Sequence, residues 1–413
     1  MNAAVLRPVP PGIRARLKDR VTAWGSARAP LLFRVLRRVW PIPRFRGTAV
    51  ATLHDDVREV LLNDATFGVP YRDKLDVIMG GQPFFLGLGD GAEYRRQTVT
   101  LRRVVRPADI AALAAAVEAR GEAIVAGSDG RIEVVDELVR AVTFDVLGAY
   151  FGVTDPPGGS LRVWATRLFE FQFADAENDP TLRTEVDAIA PALRTHIQDQ
   201  IEARRTSGKL GDDLLGRCLA AQAAGDPDFS DDLIRTGLMG FVVGGPPQPP
   251  MVVPQALEQL LRRPEALAGA QQAARASDDV LLAGYVFEAM RFDPLGPALP
   301  RVALEDCVLA GGTRRATKIP KGSIVLAAFS SAMFDHNRVP HPWRFNPRRL
   351  AHEYIHFGCG LHTCFGLRIN QVLLPLMLKG LLRRQGLRRA PGREGRLSKQ
   401  GLFAERLVLH FDR

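Results

Sequence analysis

Ten residues of this chain, Phe357-Gly-Cys-Gly-Leu-His-Thr-Cys-Phe-Gly366, limit its fold more than any other stretch. Glycines at 358, 360 and 366 permit tight backbone conformations and let the main chain approach a flat partner closely. A helix-patterned apolar run follows Cys364 and extends to about Arg384. The Cys364 thiolate therefore faces a helix N-terminus, whose free amides and dipole favour negative charge. Zinc is the competing chemistry, because Cys359, His362 and Cys364 fall within six residues. Their spacing is poor for a tetrahedral site, with the histidine between the two cysteines and no second pair.

The rest of the chain is compatible with an ordinary folded protein. Of its 413 residues 46% are apolar and 24% charged, which excludes disordered and fibrous classes. Cys218, Cys307, Cys359 and Cys364 are too few and scattered for a disulfide framework, so a reducing, cytoplasmic setting is expected. The net charge is +10, and residues 1–46 hold all of the surplus, with eleven Lys or Arg and one acid, Asp19. A neutral body argues against nucleic acid as a partner. The chain thus divides into a basic arm, 1–46, and a body, 47–413. The arm lacks the unbroken apolar core and cleavage site of a signal peptide. Its segment Ala29–Trp40 mixes Leu31, Leu32, Phe33, Val35, Leu36, Val39 and Trp40 with three arginines. Such a stretch packs on the body, lies on an anionic membrane at the inner face, or docks a protein. The longest uncharged run, 236–257, carries Pro246, Pro247, Pro249, Pro250 and Pro254, which a lipid-exposed helix does not tolerate.

Hydrophobic periodicity predicts a mostly α protein with small β-sheets, a single large α-rich domain. Strands are expected at 48–53, 306–309 and 324–328. Helices are expected at 56–62, 93–128, 133–151, 161–174, 181–206, from Asp231 with Ser230 as N-cap, and at 278–291. Residues 68–92, rich in Gly and Pro, read as a long loop.

A thiolate at a helix N-terminus beside a glycine-lined flat surface suits the axial position of heme iron. The run 357–366 resembles the cytochrome P450 heme signature, Phe-Gly-x-Gly-x-His-x-Cys-x-Gly, with every fixed position matched. Glu288-Ala-Met-Arg291 is similar to the family's Glu-x-x-Arg, whose spacing puts both charges on one helix face. Arg349 resembles the basic residue that completes that ion-pair network. Arg301, in Leu299-Pro-Arg301, resembles the arginine that pairs with a heme propionate. The resemblance runs from about residue 48 to the C-terminus. It implies a cytochrome P450-like fold, heme b as cofactor, Cys364 as iron ligand, and Phe357, Gly358, His362, Gly366 and Arg301 around the cofactor.

Two departures from the family pattern matter. The family's Ala/Gly-Gly-x-Asp/Glu-Thr falls on Gly244-Gly245-Pro246-Pro247-Gln248, so the acid is Pro247 and the alcohol Gln248. Proline has no side-chain proton, and Gln248 does not titrate near neutrality. Five prolines within nine residues must also break or distort this helix. The second departure replaces a His or Trp, and an Arg four residues on, with Tyr94 and Thr98; Arg95, Arg96 or Arg102 is the candidate substitute for the lost charge.

A heme-thiolate protein without the acid–alcohol pair has three options. It acts on a substrate or oxidant that already contains an O–O bond, an organic hydroperoxide or hydrogen peroxide. Alternatively it is an ordinary monooxygenase fed by a ferredoxin-type partner, or a non-catalytic heme scaffold or sensor. Phe84, Phe85, Phe173, Leu402 and Phe403 are the expected substrate contacts, and their apolar character suits a lipid- or terpenoid-like small molecule.

Overall fold

Alternating burial along Thr48–Ala51 marks a strand with one face in a core, and the strand forms there. It belongs to a computed structural model that describes residues 31–412. The expectations for residues 1–30 of the basic arm lie outside these. The described chain forms two compact units.

One unit comprises Tyr71–Ala116 and Arg140–Pro249 and is built from helices. The helix Asp231–Gly244 lies in its middle. It packs against Ala141–Phe151, Leu161–Phe169, Pro180–Ser207 and Leu214–Ala223. Leu233, Ile234, Leu238, Met239, Val242 and Val243 are all buried, so the helix is apolar nearly all round, as a central helix must be. Ser230 caps it by accepting a bond from the Leu233 amide.

The other unit comprises the described residues up to Pro70, with Val117–Val139 and Pro250–Arg413. A five-stranded sheet runs in the order Arg44–Phe45, Thr48–Ala51, Ile324–Ala327, Leu299–Ala303, Phe67–Gly68. Its second and third strands are parallel, Thr48 opposite Ile324, and its other pairings are antiparallel. Val57, Val60 and Leu61 of the helix His54–Leu62 join Val325, Ala327 and Phe329 in the core beside this sheet. The helices Pro264–Arg275, Asp279–Phe292 and Leu367–Leu382 pack on one another.

Two expectations need correction. Residues 68–92 are not one loop, because Arg72–Met79 is a helix. It buries Leu75, Ile78 and Met79 on one face and ends at Gly80 in the left-handed conformation. The glycines and Pro83 that suggested a loop punctuate only its end. The helix expected over 93–128 is two, Ala92–Val104 and Asp109–Ala126, because Pro107 interrupts the ladder. The described part of the arm has one buried side and one exposed side. Residues 31–39 are helical, and Phe33 is buried. Leu31, Leu32, Val35, Val39 and Trp40 are exposed, Val39 at 78%.

Candidate functional site

The cysteine loop is closed by its own backbone. The Cys364 amide donates to the Phe357 carbonyl at 2.9 Å, and the Thr363 amide to Gly360 at 3.1 Å. Gly360 has φ +79°, and a Cβ there would lie 2.5 Å from the Leu61 carbonyl oxygen. The loop therefore seats on the helix His54–Leu62 only with glycine at this position. Gly366 is the N-cap of Leu367–Leu382, which puts Cys364 two residues before the cap. Burial pushes the Cys364 thiol up, while the Gly366 amide and the Asn370 side chain pull it down. The Asn370 Nδ2 donates to Sγ at 3.9 Å.

Arg301 occupies the strand Leu299–Ala303 at 3% exposure. One Nη donates to the Pro300 carbonyl at 3.0 Å, and Nε has no hydrogen-bond partner among the described residues. A buried cation with an unused donor is costly, and an anion at that point removes the cost. A propionate supplies such an anion, so the donor set fits heme. His362 is also buried, which drives its imidazole down to about 4, with Arg301 adding to the effect. It is neutral at neutral pH.

The ion-pair residues come together in the same unit. Glu288 and Arg291 have side chains at 0% exposure. Arg291 donates to Glu288 at 2.7 and 2.9 Å and to the Met333 carbonyl at 3.0 Å. Arg349 donates to Glu288 at 3.1 Å and to Glu353 at 2.7 Å. The Tyr354 hydroxyl, at 3.2 Å, and the Asn346 amide, at 2.9 Å, also donate to Glu288. Every lone pair of this carboxylate thus has a claimant, as burial requires. Glu353 and Tyr354 are partners that sequence reading did not find. The four-residue step from Arg349 to Glu353 was the available signal for the first.

The helix Asp231–Gly244 of the helical unit stops where the prolines begin, and along the chain a new helix runs Pro249–Leu261. Pro249 and Pro250 fall in its first turn, where a missing amide proton costs nothing. Pro246 and Pro247 are buried in the break. The Gln248 side-chain amide donates to the Gly244 carbonyl, and its backbone amide to Gly245 at 3.3 Å. Gln248 thus caps the end of the first helix. Upstream, the Phe84 ring lies on Gly240, where a Cβ would stand 2.0 Å from its Cζ. Phe85 lies against Phe84, ring centroids 4.3 Å apart.

The remaining predicted residues are less concentrated. Thr98 donates its hydroxyl to the Tyr94 carbonyl at 2.8 Å, within their own helix. Tyr94 packs edge-on to Phe85 at 6.3 Å. Arg95 pairs with Asp90 at 2.6 Å and Arg96 with Glu93 at 2.8 Å, all four exposed. Phe173 is 38% exposed and packs on Phe169 and Tyr71. Leu402 and Phe403 lie in the sheet-bearing unit, half-buried at the turn before the strand Phe403–Arg406.

Comparison with known proteins agrees with this arrangement. Residues 180–404 match the family model described as Cytochrome P450. Cytochrome P450 monooxygenase PikC from Streptomyces venezuelae is 28% identical over 268 residues, 64% of this chain and 58% of PikC. A bifunctional dioxygenase (DOX)-epoxy alcohol synthase (EAS) from Pyricularia oryzae is 35% identical over 136 residues, 33% of this chain and 12% of that protein. The chain therefore spans less than two thirds of either relative. Among solved structures, ligand-free cytochrome P450 TbtJ1 superposes with a TM-score of 0.76 at 25% identity, covering 94% of this chain and 98% of that one.

Proposed function

The chain belongs to the cytochrome P450 family, whose members bind heme b, and on that premise we propose that it transforms an apolar hydroperoxide, or uses a peroxide as oxidant, without a reductase. In this reading Cys364 ligates the iron. Phe357, Gly358, His362 and Gly366 shape the cofactor's seat, and Arg301 holds a propionate. A heme iron with a thiolate ligand supplies cleavage of an O–O bond. The chain's own contribution is what it withholds.

The break at Gly245–Gln248 carries the proposal. Pro246 and Pro247 have no proton to deliver, and Gln248 spends its amide on the Gly244 carbonyl. Isomerising a hydroperoxide, or dehydrating it with loss of one oxygen as water, needs neither external electrons nor delivered protons. In this reading Phe84, whose ring lies on Gly240, and Phe85, tilted against it, keep the approach apolar. The relative described as an epoxy alcohol synthase is consistent with this, since an epoxy alcohol is an isomer of an unsaturated hydroperoxide.

The second reading is monooxygenation with a ferredoxin-type partner, favoured by the description of PikC as a monooxygenase. Purified ferric protein mixed with a fatty-acid hydroperoxide, and no reductant, separates the two. Rapid consumption is expected. No turnover there, but product with NAD(P)H and a ferredoxin system, overturns the proposal. Inactivity of heme-replete protein in both leaves a scaffold or sensor.

The described part of the arm supports a place at the inner face of an anionic membrane. No described helix is long and apolar enough to cross one. Leu31, Leu32, Val35 and Val39 line one exposed helical face, with Arg34 and Arg38 exposed beside it. Arg37, by contrast, turns inward and donates to the Ser331 hydroxyl at 2.8 Å. Leu32→Glu with Val35→Glu is expected to weaken sedimentation with anionic vesicles by more than about tenfold, since each apolar side chain is worth about 1.5–3 kcal/mol when buried. Unchanged sedimentation would leave the face to a protein partner.

A further inference from the structure

We propose that the Asn370 side chain is a tuning residue, whose amide bonds the Cys364 sulfur and withdraws electron density from it. The inference rests on Cys364 as iron ligand. Asn370 lies in the first turn of Leu367–Leu382, six residues beyond the cysteine. Its backbone amide donates to the Gly366 carbonyl at 2.9 Å, which fixes it over the sulfur. Its Nδ2 reaches Sγ at 3.9 Å, at the outer end of the range for a large, soft acceptor. A thiolate only accepts, so the amide's NH2 end, not its oxygen, must face it.

Gly366 keeps the gap open. A Cβ at that position would lie 3.2 Å from Nδ2, crowding it, and 3.9 Å from Sγ, in ordinary contact. The small residue and the amide thus form one device: the first leaves space beside the sulfur, and the second fills it with a donor. The side-chain bond is additional to backbone amides at the helix start, and it is removable by substitution.

Hydrogen bonds to a ligating sulfur adjust the metal's potential, because they stabilise the more electron-rich state. Asn370 therefore raises the ferric–ferrous midpoint and weakens donation from sulfur to iron. Asn370→Leu keeps the branching at Cγ and removes the donor. Its reduction equilibrium is expected to fall about tenfold, a shift of about 59 mV for one electron, toward negative potential. Asn370→Asp keeps the shape and turns an acceptor on the sulfur, so its shift goes the same way and further.

Spectroelectrochemical titration of the heme-loaded variants checks this, together with the carbon-monoxide stretching frequency of the reduced forms, which is expected to fall as donation rises. Two variants are used so that loss of heme in one leaves the other to decide. Equal midpoints and unchanged stretching frequencies in either heme-replete variant overturn the role of Asn370 alone, provided wild type shows the thiolate-type carbon-monoxide band. Absence of that band in heme-replete wild type overturns the ligation reading and this inference together.

Discussion

Glu288→Ala is expected to destabilise the fold by about 3–5 kcal/mol, the cost of removing one partner from a buried ion pair. The loss is large because Arg291, at 0% exposure, then keeps only the Met333 carbonyl as an acceptor among the described residues, with the Phe292 and Phe334 rings offering their weaker cation–π attraction. Arg349 retains Glu353, so the damage concentrates on Arg291. The Tyr354 hydroxyl and the Asn346 amide lose their acceptor as well. Urea denaturation of wild type and variant measures the difference. A midpoint within error of wild type would show that the network is bypassed by water. Glu288→Gln, which keeps the shape and removes the charge, should fall between the two.

Cys364→Ser is expected to abolish both the thiolate-type band of the reduced carbon-monoxide complex and hydroperoxide turnover, while leaving the protein folded. The loop is closed by backbone bonds from Cys364 to Phe357 and from Thr363 to Gly360, none of which uses the sulfur. Near-ultraviolet circular dichroism should therefore match wild type. A variant that keeps the thiolate band would transfer ligation to another cysteine. Cys359 is the nearest in sequence, and burial pushes its thiol up, which opposes the ionised form that a ligand needs.

Local chemistry was readable from the sequence wherever neighbours along the chain make the feature. Ser230 as a cap and the alternation at Thr48–Ala51 are examples, since each depends on a few adjacent residues. Glu288 and Arg291 share a helix face by spacing alone, so their pairing could be anticipated. The helix Leu214–Ala223 escaped notice because its charged and small residues give a weak apolar stripe. Arg72–Met79 was hidden by the glycines that end it. Tyr354 reaches Glu288 across sixty-six positions, and only tertiary packing decides such a contact. Asn370 is a subtler case. It stands near Cys364 in sequence, yet the bond depends on how the chain turns at Gly366.

On the reading proposed above, the proline-filled break also sets the size of the step to dioxygen chemistry. Writing Asp and Thr at 247 and 248 would put the right groups on the wrong backbone, because no helix runs through Gly245–Gln248 to aim them. Pro246 would still deny the ladder an amide, and the Gly244 carbonyl would lose the Gln248 side chain that now satisfies it. For a laboratory lineage bred toward a different oxidant, the intermediate sequences carry the loss before the gain. On the peroxide reading, the productive exchange replaces the segment from Gly245 to Pro250 as a block, because single substitutions leave the break between the two helices in place.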